Sequence, residues 1–514
     1  MTTSARRWVV ASAGLCVLLG ALDTYVVVSL LGDIVRDIGI PVNRLERATP
    51  IVTGYLLGYV AAMPLLGQAS DRLGRKPLLQ LCLVLFAVGS AVTAVGATVT
   101  WLVAGRTVQG IAGGALLPVT MALVADLWSQ QRRAEVLGVV GAAQELGSVF
   151  GPFYGIGLAA LTGWRGVFWV NLPLTAVAIV AVQVIVPRQP REKTTIDLVG
   201  GALLAATLGL LVAGLQNPDP NASAFAPWAI PVLSAAAVCL VALVAWERWS
   251  SRKLLDPAGV ALRPLAAALG VSLLAGAALM ATLVDIELIA QAVLGRDRTS
   301  AALTLLPFLA ALPIAAVLGG VLATRFGDRP ITVAGMLVAA GGYWLVSGWS
   351  LAIASSSYPL GLPRMVIDLI IAGAGLGLII APISAVALRT VPATRYGTAA
   401  AAVVVARMTG MLVGIAALST FGLHRFHSLT SSLNPPLPMQ YQSNEDFERA
   451  LATYRASVDA AQMTEYDEIF AIVAVLCIIA AFLALLIRVR DRAAGETGHP
   501  SKRMKPFPRL NPMV

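Results

Sequence analysis

Long runs of apolar residues, separated by short polar connections, dominate the sequence. The runs fall at 8–31, 48–67, 78–99, 101–125, 135–160, 166–187, 196–216, 227–247, 264–294, 300–324, 331–353, 364–388, 398–423 and 468–487. Because a helix needs about 20 apolar residues to cross a hydrocarbon layer of about 30 Å, we interpret each run as a membrane-spanning helix. The pattern therefore predicts an all-α membrane protein with fourteen transmembrane helices.

The composition supports a membrane protein and offers little for a metal site. Of the 514 residues, 58% are hydrophobic and 12% are charged, whereas a soluble domain has about 25% charged residues. Cys16, Cys82, Cys239 and Cys477 lie in apolar runs, without the paired spacing of a disulfide or a metal cage. We expect no metal site.

The net charge of +10 reflects membrane orientation better than nucleic-acid binding, because the bases are scattered through short connections and the C-terminal tail. Placing both termini in the cytoplasm puts most of the 37 Lys and Arg residues on the inside. The first run follows Arg6 and Arg7 and has no convincing cleavage site after it, so we keep it as a helix. We expect a multi-pass protein of the bacterial cytoplasmic (inner) membrane.

A polar connection between the second and third runs has an unusual composition. Residues 67–77, GQASDRLGRKP, combine an acid, three bases, two glycines and a proline. Residues 320–330, GVLATRFGDRP, repeat the pattern, with Thr324 in place of Asp71. An ordinary positive-inside loop would explain the bases but not this spacing. The repeat indicates two halves related by duplication.

The loop resembles the signature loop between helices 2 and 3 of the major facilitator superfamily, and the helix count resembles the fourteen-helix drug:proton antiporters of that superfamily. The resemblance implies two six-helix bundles plus two inserted helices. The implied parts are an N-terminal bundle at 1–187, an inserted two-helix linker at 188–263, a C-terminal bundle at 264–490 with a periplasmic extension at 423–467, and a cytoplasmic tail at 491–514.

Ionisable residues within the predicted helices are candidates for proton coupling, because each costs about 2.5 to 3.5 kcal/mol at membrane depth. Asp23 resembles the acid found in the first helix of the antiporters, and Arg106, within AGRTVQGIAGG, resembles the buried arginine of the superfamily. Glu145 and Arg407 lie at similar depth in their helices. We predict that Glu145 and Arg407 pair in one conformational state and separate when Glu145 is protonated.

The stretch GSVFGPFYGIG at 147–157 resembles the antiporter motif of the superfamily's exporters. Gly147, Gly151 and Gly155 share one helix face, which allows close packing, and Pro152 is expected to bend the helix. A plain packing seam is the alternative.

The signature loop is expected to act as a conformational latch, since in the resembled superfamily it holds the cytoplasmic side shut. Asp71 is expected to meet the positive end of a helix dipole, or else Arg132 and Arg133. We expect Arg72 to reach Asp126. The predicted latch residues are Gly67, Asp71, Arg72, Gly74, Arg75, Asp126 and Arg325.

Three other acids are weaker candidates. Asp285 and Glu287 lie in the outer half of their helix, where facing water would explain them, and Asp368 lies in a later helix. The polar segment 423–467 is expected to extend two helices beyond the bilayer, with a turn near Pro435 and Pro436.

The expected function is proton-coupled export by alternating access, driven by the proton gradient without another cofactor. No Gly-x4-Gly-Lys-Ser/Thr phosphate loop and no catalytic constellation occur, so we expect a transporter and not an enzyme. Within the family, the sequence most resembles mycobacterial exporters of triacylglycerides and related lipids, which work with a periplasmic lipid-binding lipoprotein. A multidrug:proton antiporter for hydrophobic or cationic drugs is the alternative, and a non-transporting receptor or scaffold is less favoured.

Overall fold

The computed structural model describes residues 3–39, 49–187, 197–215, 226–250, 259–441 and 443–487. These residues are almost entirely helical. The helices are α1 (Thr3–Ile38), α2 (Thr49–Leu73), α3 (Arg75–Val95), α4 (Val99–Leu127), α5 (Gln130–Ile185), α6 (Leu198–Leu215), α7 (Ala229–Trp249), α8 (Leu262–Leu288), α9 (Arg298–Thr304), α10 (Leu306–Phe326), α11 (Asp328–Val346), α12 (Arg364–Arg389), α13 (Tyr396–Thr430) and α14 (Asn444–Ala484). Two short strands, β1 (Ser357–Tyr358) and β2 (Leu362–Pro363), form an antiparallel hairpin between α11 and α12.

The helix boundaries depart from the sequence prediction at two places. The runs 135–160 and 166–187 join in α5, which is interrupted at Gly163, where φ is 72° and ψ is 166°. Glycine adopts this left-handed backbone without a steric penalty, so the chain changes direction without a loop. The run 300–324 is instead divided between α9 and α10. If α5 is counted as two helices and α9 with α10 as one, the described helices coincide with the fourteen predicted runs, and eleven of the described helices are long and apolar enough to cross a membrane.

The two halves of the chain pack in the same way. In the first half α1 packs on α5, and α2 and α3 pack on α4. In the second half α8 packs on α13, and α10 and α11 pack on α12. The last helix of each bundle, the second part of α5 or α14, contacts α3 or α11 respectively. The duplication visible in the loops therefore extends to tertiary packing.

Two glycines, one in each half of the chain, make the same kind of close contact between helices. A Cβ on Gly110 of α4 would lie 2.1 Å from the carbonyl oxygen of Tyr55 on α2. A Cβ on Gly373 of α12 would lie 2.4 Å from the carbonyl oxygen of Phe308 on α10. Only a residue without a side chain permits either helix crossing, so both bundles use glycine to bring two helix backbones close together.

The inserted helices α6 and α7 pack on each other, and α6 lies against α2. The side-chain oxygen of Gln68 accepts a hydrogen bond of 3.0 Å from the backbone N–H of Asp197, and the Asp197 carboxylate accepts one of 3.1 Å from the Trp246 indole. These bonds anchor the insert beside the first bundle. Residues 188–196, 216–225 and 251–258 of the linker, and the predicted tail 491–514, lie outside the described residues.

Helices α13 and α14 continue far past the bundle. Helix α14 has 41 residues, which corresponds to about 60 Å and so to about twice the hydrocarbon thickness. Pro435 and Pro436 lie in the connection before it, as predicted, and Ser443 caps its N-terminus by accepting a hydrogen bond from the backbone N–H of Asp446. We call this side of the molecule the extension end, and the side that carries residues 67–77 and 320–330 the loop end.

Candidate functional site

A buried ion pair joins α1 to α4 inside the first bundle. The side chains of Asp23 and Arg106 are each 1% exposed, and both terminal nitrogens of Arg106 donate to Asp23. The Nδ2 of Asn171 donates to Asp23 at 3.0 Å, and the Nε2 of Gln109 lies 3.4 Å from the same oxygen. The guanidinium group also lies 4.1 Å from the centre of the Tyr55 ring. The carboxylate of α1 is thus enclosed by donors from two other helices, α4 and α5.

Three members of this network were not predicted from the sequence. Gln109 follows Arg106 by three residues, so it lies on the same helix face, and this spacing could have revealed it. Asn171 is an amide within an apolar run, which is a usable signal for a buried hydrogen bond. The role of Tyr55 beneath the guanidinium had no sequence signal, because its partner comes from another helix.

A second ion pair connects the two bundles. The Nη1 of Arg407 on α13 donates to Oε1 of Glu145 on α5 at 2.8 Å. The side chain of Glu145 is 5% exposed and that of Arg407 is 16% exposed. Counting residues along the two helices predicted that Glu145 and Arg407 lie at the same depth, and in the structure the two side chains are in contact.

This second pair forms part of the wall of a central cavity between the two bundles. Both bundles contribute to the lining, which comes from α4, α5, α8, α10, α12 and α13. Leucine, isoleucine, valine and other apolar residues make up most of the wall. Its polar side chains are Gln144, Glu145, Ser272, Ser384 and Arg407. The lining is thus apolar apart from these side chains, and its one charge pair is already neutralised.

The glycines of the antiporter motif allow α5 to pack closely on α1. A Cβ on Gly147 would lie 2.5 Å from the Cβ of Ala21, and one on Gly151 would lie 2.7 Å from the carbonyl oxygen of Leu22. Gly155 is buried, and the side chain of Pro152 lies outside the described residues. Gly147 and Gly151 thus pack α5 on α1, directly beside the residue that precedes Asp23.

At the loop end, Asp71 ties the first bundle to the second. Its carboxylate accepts hydrogen bonds from the backbone N–H of Gly397 at 2.9 Å and from the N–H and Oγ1 of Thr398 at 3.2 and 3.1 Å. These donors form the first turn of α13, which carries the positive end of the helix dipole. A Cβ on Gly67 would lie 2.8 Å from the Gly397 carbonyl oxygen, so glycine permits the close approach.

The alternative prediction, that Asp71 meets Arg132 and Arg133, is wrong. Arg133 donates to the carbonyl oxygen of Ala125 at 2.7 Å and lies 4.9 Å from the centre of the Tyr396 ring. Arg132 is exposed. Of the two possibilities that the sequence left open, the helix dipole is therefore the one that the structure supports.

The prediction that Arg72 reaches Asp126 is also wrong, because Arg75 occupies that place. The Nε of Arg75 donates to Asp126 at 3.0 Å, and its Nη1 donates to Asp71. Helix α2 ends at Leu73 and Gly74 has a φ of 90°, so the chain reverses and Arg75 begins α3 beneath the end of α2. Arg72 remains on the exposed face of the last turn.

The second loop contains a related pair with the charges exchanged. Asp328 stands where the repeat aligns Arg75, and it pairs with Arg389 at the end of α12. Arg389 also donates to the carbonyl oxygen of Gln130 in the first bundle at 3.2 Å. Arg325, which was predicted to belong to the latch, is exposed and lies over the ring of Phe326.

Arg75→Gln is expected to impair transport strongly, whereas Arg72→Gln is expected to leave it near the wild-type rate. Removing Arg75 leaves Asp71 without its buried cation, which costs about 3 to 5 kcal/mol for a buried pair. Arg72 contributes about 1 kcal/mol at most, because it is exposed. Transport rates in proteoliposomes at equal protein content provide the measurement. Equal losses in the two variants would contradict the assignment.

Glycine contacts reinforce closure at the loop end. A Cβ on Gly138 of α5 would lie 2.6 Å from the carbonyl oxygen of Ala316 on α10, and one on Gly320 of α10 would lie 2.4 Å from that of Ala134 on α5. Together with Asp71, these contacts seal the two bundles against each other between the cavity and the loop end.

The weaker candidate acids have different surroundings. Asp285 is 8% exposed, so the expectation that it faces water is wrong. Glu287 accepts a hydrogen bond from Gln291 at 3.0 Å. Asp368 accepts hydrogen bonds from the Trp349 indole at 2.8 Å and the Tyr358 hydroxyl at 2.7 Å, so we assign it a structural role.

Comparisons with known proteins place these features in a family. The family model described as Major Facilitator Superfamily matches residues 13–415. The chain is 52% identical over 512 residues to a probable triacylglyceride transporter of Mycobacterium leprae, covering 97% of this chain and 100% of the relative. It is 57% identical over 428 residues to a triacylglyceride transporter of Mycobacteroides abscessus, covering 82% and 83%.

Solved structures agree on the fold. The human organic anion transporter MFSD10 matches with a TM-score of 0.58 at 19% identity, covering 92% of this chain and 99% of that one. The proton:xylose symporter XylE matches with a TM-score of 0.58 at 16% identity, covering 92% and 95%. With duplicated bundles, a cavity between them and the signature loop at their closed end, this multi-pass membrane protein belongs to the Major Facilitator Superfamily.

Proposed function

We propose that this protein exports triacylglycerides or related lipids from the inner membrane to the periplasm, driven by the proton gradient. The observation that carries the lipid assignment is the apolar central cavity, whose one acid, Glu145, is neutralised by Arg407. A cationic substrate would gain most from an unpaired acid in the cavity. The names of the mycobacterial relatives support the same substrate class.

The proposed cycle uses the observed contacts as one of its two states. With both termini in the cytoplasm, the loop end faces the cytoplasm and the cavity is closed on that side. Protonation of Glu145 weakens its attraction to Arg407, which allows the bundles to separate there and rock about the cavity. Deprotonation restores the pair and favours the observed state.

The extension end faces the periplasm in this proposal. The α13–α14 hairpin stands above the bundle, and the bidentate pair of Arg425 with Glu468 fixes the two helices to each other at its base. We propose that a periplasmic lipid-binding lipoprotein accepts the cargo at this hairpin, because an exported triacylglyceride cannot cross water unaided.

Reconstitution with labelled triacylglyceride, compared with a cationic dye, tests the proposed substrate. We expect lipid to move when a pH gradient is imposed and to stop when an ionophore collapses the gradient. Empty liposomes provide the control for spontaneous exchange. Dye efflux without lipid movement would support the multidrug:proton antiporter instead.

A further inference from the structure

An uncharged amide lies in the wall of the central cavity, next to the ion pair that connects the bundles. Helix α5 lines the cavity with Leu137, Gly141, Gln144 and Glu145, whose spacing places them on one face of the helix. Glu145 is hydrogen-bonded to Arg407. The ion pair therefore accounts for Glu145, but it does not account for the amide of Gln144.

The Gln144 amide is buried and has no hydrogen-bonding partner in the described part of the chain. The residue is 5% exposed. Ser148 donates to its backbone carbonyl oxygen at 3.1 Å, but no described group bonds to its side-chain nitrogen or oxygen. A buried amide without a partner is unfavourable, because it has lost water and gained nothing in return. A molecule in the cavity that supplied the missing hydrogen bond would therefore bind more tightly.

A contact between α5 and α12 fixes the height of this amide in the cavity. A Cβ on Gly141 would lie 2.6 Å from Cγ2 of Ile380 on α12, so the two helices approach closely there. Helix α5 starts at the loop end and α12 ends there, so the two run in opposite directions. One turn from this contact toward the extension end lie Gln144 on α5 and Leu376 on α12, and both line the cavity.

The other uncharged polar side chains of the wall already use their donors. The Oγ of Ser272 donates to the carbonyl oxygen of Val403 at 2.8 Å, and the Oγ of Ser384 donates to that of Ile380 at 2.8 Å. A hydroxyl group has only one hydrogen to donate. Among the uncharged side chains that the structure describes in this wall, Gln144 is therefore the one whose N–H groups are not engaged.

We propose that Gln144 recognises the ester groups of a glycerolipid, with its side-chain N–H donating to an ester carbonyl oxygen. A triacylglyceride has acceptor oxygens and no donor, so an amide N–H suits its polar part and the apolar wall suits its acyl chains. Gln144 has this role only if the protein moves lipids, as proposed above. The residue then determines a preference for ester lipids over ether lipids of the same size, because ether oxygens are weaker acceptors than ester carbonyls.

Competition between two labelled lipids in proteoliposomes tests the role of Gln144. A triacylglyceride and a trialkylglycerol ether with equal chain lengths differ only in the ester carbonyls. We expect the wild-type protein to prefer the ester lipid by about threefold to tenfold, which is the range for one hydrogen bond. Gln144→Met keeps the length of the side chain without its donors, and it should move both lipids at similar rates. The rate for the ether lipid in the same preparation controls for folding.

Ser384→Ala is the matched control in this competition. Its hydroxyl lies in the same wall, but its hydrogen is donated within α12, so the variant should retain the wild-type preference. An unchanged preference in Gln144→Met, or equal rates for the two lipids in the wild type, would overturn the role of Gln144 and leave lipid transport intact. A wild-type protein that moved neither lipid would refute the proposed function and the assignment of Gln144 together.

Thermal unfolding of the purified protein without added lipid gives a second result, which does not depend on transport. Gln144→Met removes a buried amide that lacks a partner, so we expect an unfolding midpoint equal to or above that of the wild type. A glutamine that stabilised the bundle through contacts within the protein would give the opposite result. A midpoint several degrees lower in Gln144→Met would thus identify a structural residue and contradict its role in recognition.

Discussion

Replacing Asp23 by asparagine is expected to abolish proton-driven transport and to destabilise the first bundle. Asparagine has nearly the same shape, but it leaves the Arg106 guanidinium, which is 1% exposed, without a counter-charge. Removing one partner of a buried ion pair costs about 3 to 5 kcal/mol. The measurements are pH-gradient-driven lipid movement in proteoliposomes and the midpoint of thermal unfolding of the same preparation.

Asp33→Asn is the matched control for this experiment. Asp33 lies on the same helix, is 47% exposed and pairs with the exposed Arg36, so its loss should change stability and transport little. Asp23→Glu, which retains the charge, should recover part of the stability. Full transport by Asp23→Asn would show that this carboxylate is a structural group and not a proton carrier.

Glu145→Gln is expected to separate transport from the proton gradient. Glutamine can still accept the hydrogen bond from Arg407, but it cannot gain or lose a proton, so the contact between the bundles no longer responds to pH. We expect the gradient-driven rate to fall by at least about tenfold, which corresponds to about 1.4 kcal/mol. Rates measured with and without an imposed gradient give the result directly.

Glu135→Gln on the same helix provides the control, because this acid is exposed at the loop end. A double-mutant cycle with Arg407→Gln measures the pair itself, and we expect a coupling energy of about 0.5 to 3 kcal/mol. If Glu145→Gln transports at the wild-type rate and still responds to the gradient, the assigned role of this pair is incorrect.

The latch shows where the sequence was informative and where it was not. The spacing in 67–77 was enough to predict a rigid connection, and the possibility of a helix dipole for Asp71 proved correct. The choice between Arg72 and Arg75 could not be made from spacing, because it depends on the reversal at Gly74 and on which face of α2 turns toward α4. In the second half, the exchange of charges between Asp328 and Arg389 was equally invisible, since their separation in sequence is long.

The two buried ion pairs also differ in how much of each could be predicted from the sequence. The depth of Glu145 and Arg407 followed from counting residues along helices that start on the same side, and a rise of about 1.5 Å per residue makes this count reliable. The enclosure of Asp23 by Asn171, Gln109 and Tyr55 did not follow, because three helices must first be oriented about their axes. Similarly, the burial of Asp285 in α8 depends on how neighbouring helices such as α14 pack on α8.

The sequence by itself determined the class of protein and the duplication, since each follows from hydrophobic run length and from local motifs that the bilayer constrains strongly. Only the tertiary structure decided which side chains meet. Helix rotation and crossing place residues from distant segments within 3 Å of each other or far apart, and apolar helix surfaces leave those angles undetermined until the glycine contacts fix them.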